Sequence, residues 1–313
     1  MFQSNTPIKF LQATEKFPLL LGVFSFLVAF FGIFTHLKIL LFFMACPLFY
    51  SYMTLGNKAG HISSIIAGIP LFFLTPLSSF VDILLNIIAP AIVVGYSANR
   101  SITKKRKKWW YPESFLLRNF TVLSICSVIF LSLTFYNKDV ILKAYDEAFN
   151  ILKNMDGLKG MQQDLSVLLP PFVKFSVGIG IFIKMLASVI NFRIAQILSQ
   201  KNRKNLRPNF NFLNLYIPNW LALLPLLSLS IVLTFENIAY VFGGIFIVSS
   251  FAPLICGFSL IHDYARKLKQ NWVLILLYAF LFFMPFFILT SMVFLGIIDS
   301  FYDFRTKFSK STA

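Results

Sequence analysis

Residues 176–193 read SVGIGIFIKMLASVINFR, and Lys184 is the one charge in that run before its terminal Arg193. At 3.6 residues per turn, Ser176, Gly180, Lys184, Ser188 and Asn191 align down one helix face, with Ala187 beside them. The other faces carry Ile179, Phe182, Ile183, Leu186 and Ile190. A stripe of small and polar residues on an apolar helix faces protein rather than lipid. An ionisable group carried inward on it marks a functional site by default. The competing reading is snorkelling, because Lys184 lies only ~10 Å along the helix from Asn191 at the membrane boundary.

A second stripe lies in SSFVDILLNIIAPAIVVG, where Asp82, Asn86 and Pro90 follow at four-residue steps. Asp82 is expected nearer the outer surface than Lys184, by about two turns of helix. That placement favours a water- or ligand-filled cavity between the stripes over a direct ion pair. Lys184, Ser188, Asn191, Asp82 and Asn86 are the residues expected to line it and bind substrate. Alternatively Asp82 caps a helix, since Ser78 and Ser79 lie just before it. No other constellation carries chemistry. His36, His61 and His262 lie far apart, and there is no HExxH motif and no glycine-rich phosphate loop. Cys46, Cys126 and Cys256 lie inside apolar runs with no CxxC spacing, and read as small core residues. No enzyme, cofactor or metal is expected.

The elements that position these stripes follow from composition. The 313 residues are 58% hydrophobic and 13% charged, with a mean hydropathy of +0.76. A soluble domain is about 45–50% apolar and about 25% charged. Long continuous apolar runs are membrane helices, since a barrel would alternate in segments of about ten residues. Spans are expected at about 17–35, 38–55, 61–75, 77–97, 115–136, 167–194, 217–234, 237–261 and 272–298. The fold class is all-α: a single polytopic membrane domain over 1–313, with about 8–9 transmembrane helices and one amphipathic extramembrane helix. The net charge of +16 is concentrated in short loops, as the positive-inside rule requires, and implies no nucleic acid.

The basic loops 99–114 (with Lys104 to Lys108) and 194–212 (with Lys201, Arg203, Lys204 and Arg207) belong in the cytoplasm, and counting back places the N-terminus there too. The run at 104–108 reads as a topology signal or a site for anionic headgroups, flanked by Trp109 and Trp110 as interfacial anchors. The 137–165 connection faces outwards and is nearly neutral. Ile141, Tyr145, Ala148, Leu152 and Met155 give it an amphipathic helix, either a lid or a surface helix. The eighth span is rich in small residues, among them Gly243, Gly244, Ser249, Ser250 and Gly257. It either lines a binding site or packs tightly. Pro285 makes the last run one kinked helix or a broken pair that turns back.

The stretch GIIDSFYDFR, with Gly296, Asp299, Asp303 and Arg305, resembles the C-terminal signature of the YybS-like predicted membrane proteins, a bacterial domain of unknown function. NFR at 191–193, IPNWLALLP and GFSLIH accompany it, so the resemblance covers nearly the whole chain. It implies no catalytic residues. The chain is also similar in places to the substrate-binding membrane components of energy-coupling-factor transporters, but has more spans and the 137–165 insertion. That similarity implies a bundle that holds a small ligand on its outer side and docks sideways on a partner subunit. Ser25 and Ala29 would form a small-residue docking face. The expected function is therefore a small-molecule carrier, or its substrate-binding subunit, in the bilayer of a bacterial cytoplasmic membrane. The alternative is a scaffold that recruits a partner protein through its basic loops.

Overall fold

The computed structural model describes residues 18–35, 38–104, 107–135, 139–140, 143, 147, 162–202, 206–208 and 210–305. Among the described residues, five helices are long and apolar enough to cross a membrane: Leu77–Ala98, Glu113–Thr134, Lys174–Lys201, Glu236–Lys267 and Pro285–Tyr302. Shorter apolar helices of 10–17 residues accompany them. The protein is a helical membrane protein. The face expected on the amphipathic 137–165 connection (Ile141, Tyr145, Ala148, Leu152, Met155) lies outside the described residues.

The chain divides into two compact units: Met1–Phe120 with Ile183–Phe210, and Thr121–Phe182 with Asn211–Ala313. The first contains α1 (Pro18–Phe34), α2 (Ala45–Leu55), α3 (Asn57–Leu74) and α4 (Leu77–Ala98). It also takes the start of α5 (Glu113–Thr134) and the end of α6 (Gln162–Lys201). Nearly every residue of α2 is buried, from Pro47 to Met53, as befits a helix that is apolar on all sides. Tyr52 is its centre. Its ring lies between Gly60 on α3 and Gly95 on α4, where a Cβ would fall 2.4 and 2.6 Å from ring atoms. Gly56, at φ 90°, makes the sharp turn from α2 into α3 that only glycine adopts at low cost. Ser25 and Ala29 are fully buried, and the Ser25 hydroxyl donates to the Met44 carbonyl at 2.7 Å. They pack inside the unit, which corrects their expected role as an external docking face.

The 99–114 loop is not irregular. It holds a two-stranded antiparallel ribbon, β1 (Ser101–Lys104) and β2 (Lys107–Trp110), an exception to the all-α expectation.

The second unit contains α7 (Asn219–Thr234), α8 (Ala239–Ser249), α9 (Phe251–Lys267), α10 (Asn271–Phe283) and α11 (Pro285–Tyr302). The small residues of the expected eighth span serve packing. A Cβ on Gly243 would meet the Lys174 carbonyl, and one on Gly257 the Met292 carbonyl of α11. Tyr278 meets His262, Met292 meets Gly257 and Gly296 meets Pro253, so contacts step along α9 in one direction. The last run is broken at Met284 by Pro285, with no reversal along α9. Cys256 is buried but Cys126 is exposed on the apolar surface, unlike the core position expected for it.

Candidate functional site

α4 and the C-terminal half of α6, both in the first unit, position the charged pair. In α4 the sequence cannot stay α-helical throughout. Pro90 has no N–H to donate, and its ring clashes with the carbonyl four residues back, that of Asn86. The chain answers with a π-helical turn over Leu84–Ile88, in which the Ala89 N–H reaches back five residues to the Leu84 carbonyl. Such wide turns inside α-helices recur at functional sites. Asp82 stands just before this turn and Asn86 within it.

On α6 the packed face is Ile181, Met185, Ser188, Phe192 and Ala195, a 3.6-residue periodicity. Ile183, Leu186 and Ile190 are exposed on the opposite side, the surface presented to lipid. Lys184 flanks the packed face. Its ammonium donates to both oxygens of the Asp82 carboxylate, each at 2.6 Å. The Asn86 amide donates to the same carboxylate at 2.8 Å. These are short, charge-assisted contacts. About a fifth of each charged side chain remains exposed, 23% for Lys184 and 20% for Asp82. The Asn86 Oδ1 is buried with no hydrogen-bond partner.

The lysine is thus directed into protein, and snorkelling is excluded for it. The pairing overturns the expected cavity between separated stripes. The expected offset of two turns, about 11 Å, exceeds the length of a lysine stem, so the two residues lie closer in depth than helix counting placed them. Asp82 is no cap either: it lies inside the helical segment Leu77–Ile83, whose N-cap is Pro76. Of the five expected site residues, the structure unites Asp82, Asn86 and Lys184. Ser188 is buried one turn further along α6. Asn191 is further still, where its amide donates to the Phe42 carbonyl and its Oδ1 is left without a partner.

Two polar clusters were not legible beforehand. Tyr52 Oη lies 2.9 Å from His61 Nδ1, so a histidine at a helix end meets a buried phenol. Arg207 donates to the Ala98 and Tyr111 carbonyls at 3.3 and 2.8 Å and to the Glu113 carboxylate at 2.9 Å, closing the base of the ribbon. Burial pulls the guanidinium below its usual range, and Glu113 opposes that shift.

In the second unit, the residues of GIIDSFYDFR form a clasp. Gly296 lets α11 touch the Pro253 carbonyl. Asp303, at φ 44°, ends the helix in the left-handed region. The buried Asp299 carboxylate accepts from the Phe304 N–H at 3.1 Å and from Arg305 Nε at 3.2 Å. The Arg305 guanidinium also donates to the Leu213 and Cys256 carbonyls and to Ser259 Oγ. The Asp299 carboxylate and the Arg305 guanidinium thus take their partners within the unit, which gives the motif a structural role. Among the described residues no three His, Cys, Asp or Glu side chains are grouped to hold a metal ion.

A family model described as "Predicted membrane protein (DUF2232)" matches residues 20–300. No curated protein and no solved structure matches the chain.

Proposed function

Since the chain belongs to the predicted membrane protein family DUF2232, we propose a membrane function centred on the ion pair of α4 and α6. The protein is a small-molecule carrier, or the substrate-binding membrane subunit of a transporter. In this reading it crosses a bacterial cytoplasmic membrane eight or nine times with its N-terminus inside. Its kinship is to the YybS-like proteins and, more distantly, to the substrate-binding components of energy-coupling-factor transporters.

The observation that carries the reading is the Lys184–Asp82 pair at 2.6 Å, one-fifth exposed, in helices apolar enough to cross a bilayer. Charges at that depth are costly and persist where they act. The buried Asn86 Oδ1 is an acceptor with no hydrogen-bond partner among the protein's own groups, and a buried acceptor left unpaired costs about 1–3 kcal/mol. The fitting ligand is small and carries both an anionic group and a donor. Its anion takes the Lys184 ammonium while its donor takes Asp82 and Asn86 Oδ1, so neither protein charge is left bare during the exchange.

The test is mass spectrometry of small molecules that co-purify with the protein, on the wild type and on Lys184→Met. The expected result is a bound species in the wild type, lost in a variant that still inserts and elutes as one peak. Equal retention by a folded Lys184→Met variant removes the pair from the binding site.

A further inference from the structure

The end of α4 and the start of α5 lie at one edge of the first unit, away from the ion-pair site. α4 ends at Ala98, α5 begins at Glu113, and both helices are long enough to span. The chain between them therefore returns to the bilayer boundary it left. Tyr96 and Arg100 lie four apart at the close of α4. Phe115 and Arg118 lie three apart in the opening turns of α5, and so on one side of it. The Tyr111 N–H donates to the Arg100 carbonyl at 3.2 Å, and Arg207 donates to the Tyr111 carbonyl at 2.8 Å, which ties the two ends together.

Cations and rings alternate along this edge. The Arg118 guanidinium lies 4.4 Å from the centroid of the Phe115 ring. Phe115 is tilted against Tyr111 at 5.1 Å. The Arg100 guanidinium lies 5.3 Å from the Tyr111 centroid and 5.6 Å from that of Tyr96. Tyr96 in turn meets His61, near the start of α3, at 5.8 Å. A guanidinium within about 6 Å of a ring centroid is drawn to the ring. The rings thus order both arginines but give their N–H groups no oxygen to bond. Among the described residues neither Arg100 nor Arg118 makes an ion pair or a side-chain hydrogen bond. The acid at this edge, Glu113, is taken by Arg207 at 2.9 Å.

An ordered guanidinium with its donors unpaired fits a phosphate, whose oxygens match the planar fork. At the boundary of a bilayer, lipid phosphates lie at the depth of these helix ends, and tyrosine rings favour that same layer. We infer that Arg100 and Arg118, ordered by Tyr96, Tyr111 and Phe115, bind the phosphates of anionic phospholipids at this edge. A choline lipid carries its own cation beside the phosphate, against the guanidiniums, so the site selects the anionic headgroup. The attraction of each arginine to an anionic surface corresponds to about fivefold in local lipid enrichment.

The test uses the full chain in nanodiscs of phosphatidylglycerol and phosphatidylcholine at equal mole fraction. The protein is extracted and its retained lipids are weighed by native mass spectrometry. The expected result is several-fold enrichment in the glycerol lipid. Arg100→Gln/Arg118→Gln abolishes it, and Lys201→Gln/Lys269→Gln, which removes the same charge from exposed positions elsewhere, leaves it unchanged. Equal retention of the two lipids by the wild type, the result expected if these arginines serve an acidic soluble partner, overturns the proposal. So does an equal loss in both double variants, which reports unspecific attraction. Enrichment that disappears on adding inorganic phosphate assigns the site to a soluble anion and overturns it too. Should Arg100→Gln/Arg118→Gln fail to fold, the wild type is cross-linked to phosphatidylglycerol with a photoreactive headgroup. Cross-links within residues 96–118 support the assignment, and cross-links confined to other segments sink it.

Discussion

Removing one member of the α4–α6 pair strands the other. In Lys184→Met, Asp82 keeps only the Asn86 donor at 2.8 Å. In Asp82→Leu, Lys184 loses the carboxylate that takes both of its 2.6 Å contacts. Breaking a buried pair costs about 3–5 kcal/mol. The 23% and 20% residual exposure places this one at the low end, about 3 kcal/mol for each single change. The double variant Lys184→Met/Asp82→Leu leaves no bare charge and fills the space with apolar groups. It is expected to be close to neutral rather than to cost the sum of the two single changes, about 6 kcal/mol, so the pair is strongly coupled. Reversible unfolding of the four proteins in mixed micelles, titrated with a denaturing detergent, measures the cycle. Costs that add to within about 0.5 kcal/mol would refute the pairing. The same preparations separate stability from function, since the double variant is expected to be folded yet empty of co-purified ligand.

Two further outcomes test the clasps. Arg305→Met buries Asp299 without its cation and should lower stability by about 3–5 kcal/mol, read as an earlier thermal unfolding in detergent. Arg305→Lys should not restore it, because one ammonium cannot replace a planar fork that reaches Leu213, Cys256, Ser259 and Asp299. Arg207→Lys should loosen the ribbon base at a cost of about 1.5 kcal/mol. Amide exchange at the Tyr111 N–H, which is bonded to the Arg100 carbonyl at 3.2 Å, should then quicken by about tenfold. Unchanged exchange there would mean that Arg207 does not hold the ribbon.

Composition and periodicity alone were enough to establish a helical membrane protein, because a bilayer admits continuous apolar helices and little else. They also put Lys184 on a side of its helix that meets protein, and Asp82 with Asn86 on one face of another. A 3.6-residue period is written in the order of residues and needs no partner to be read. What the period leaves open is which faces meet, at what depth, and how a turn is deformed. The Lys184–Asp82 contact depends on a lysine stem reaching across two helices, and the wide turn at Leu84–Ile88 on how α4 accommodates Pro90. Ser25 and Ala29 have the spacing of a docking surface, yet they are buried within their own unit. GIIDSFYDFR resembles a family signature, and only folding shows that Asp299 and Arg305 close on each other and on carbonyls distant in sequence. Sequence order sets the face of each helix. Lateral packing, through contacts between residues as far apart as 82 and 184, decides what that face touches.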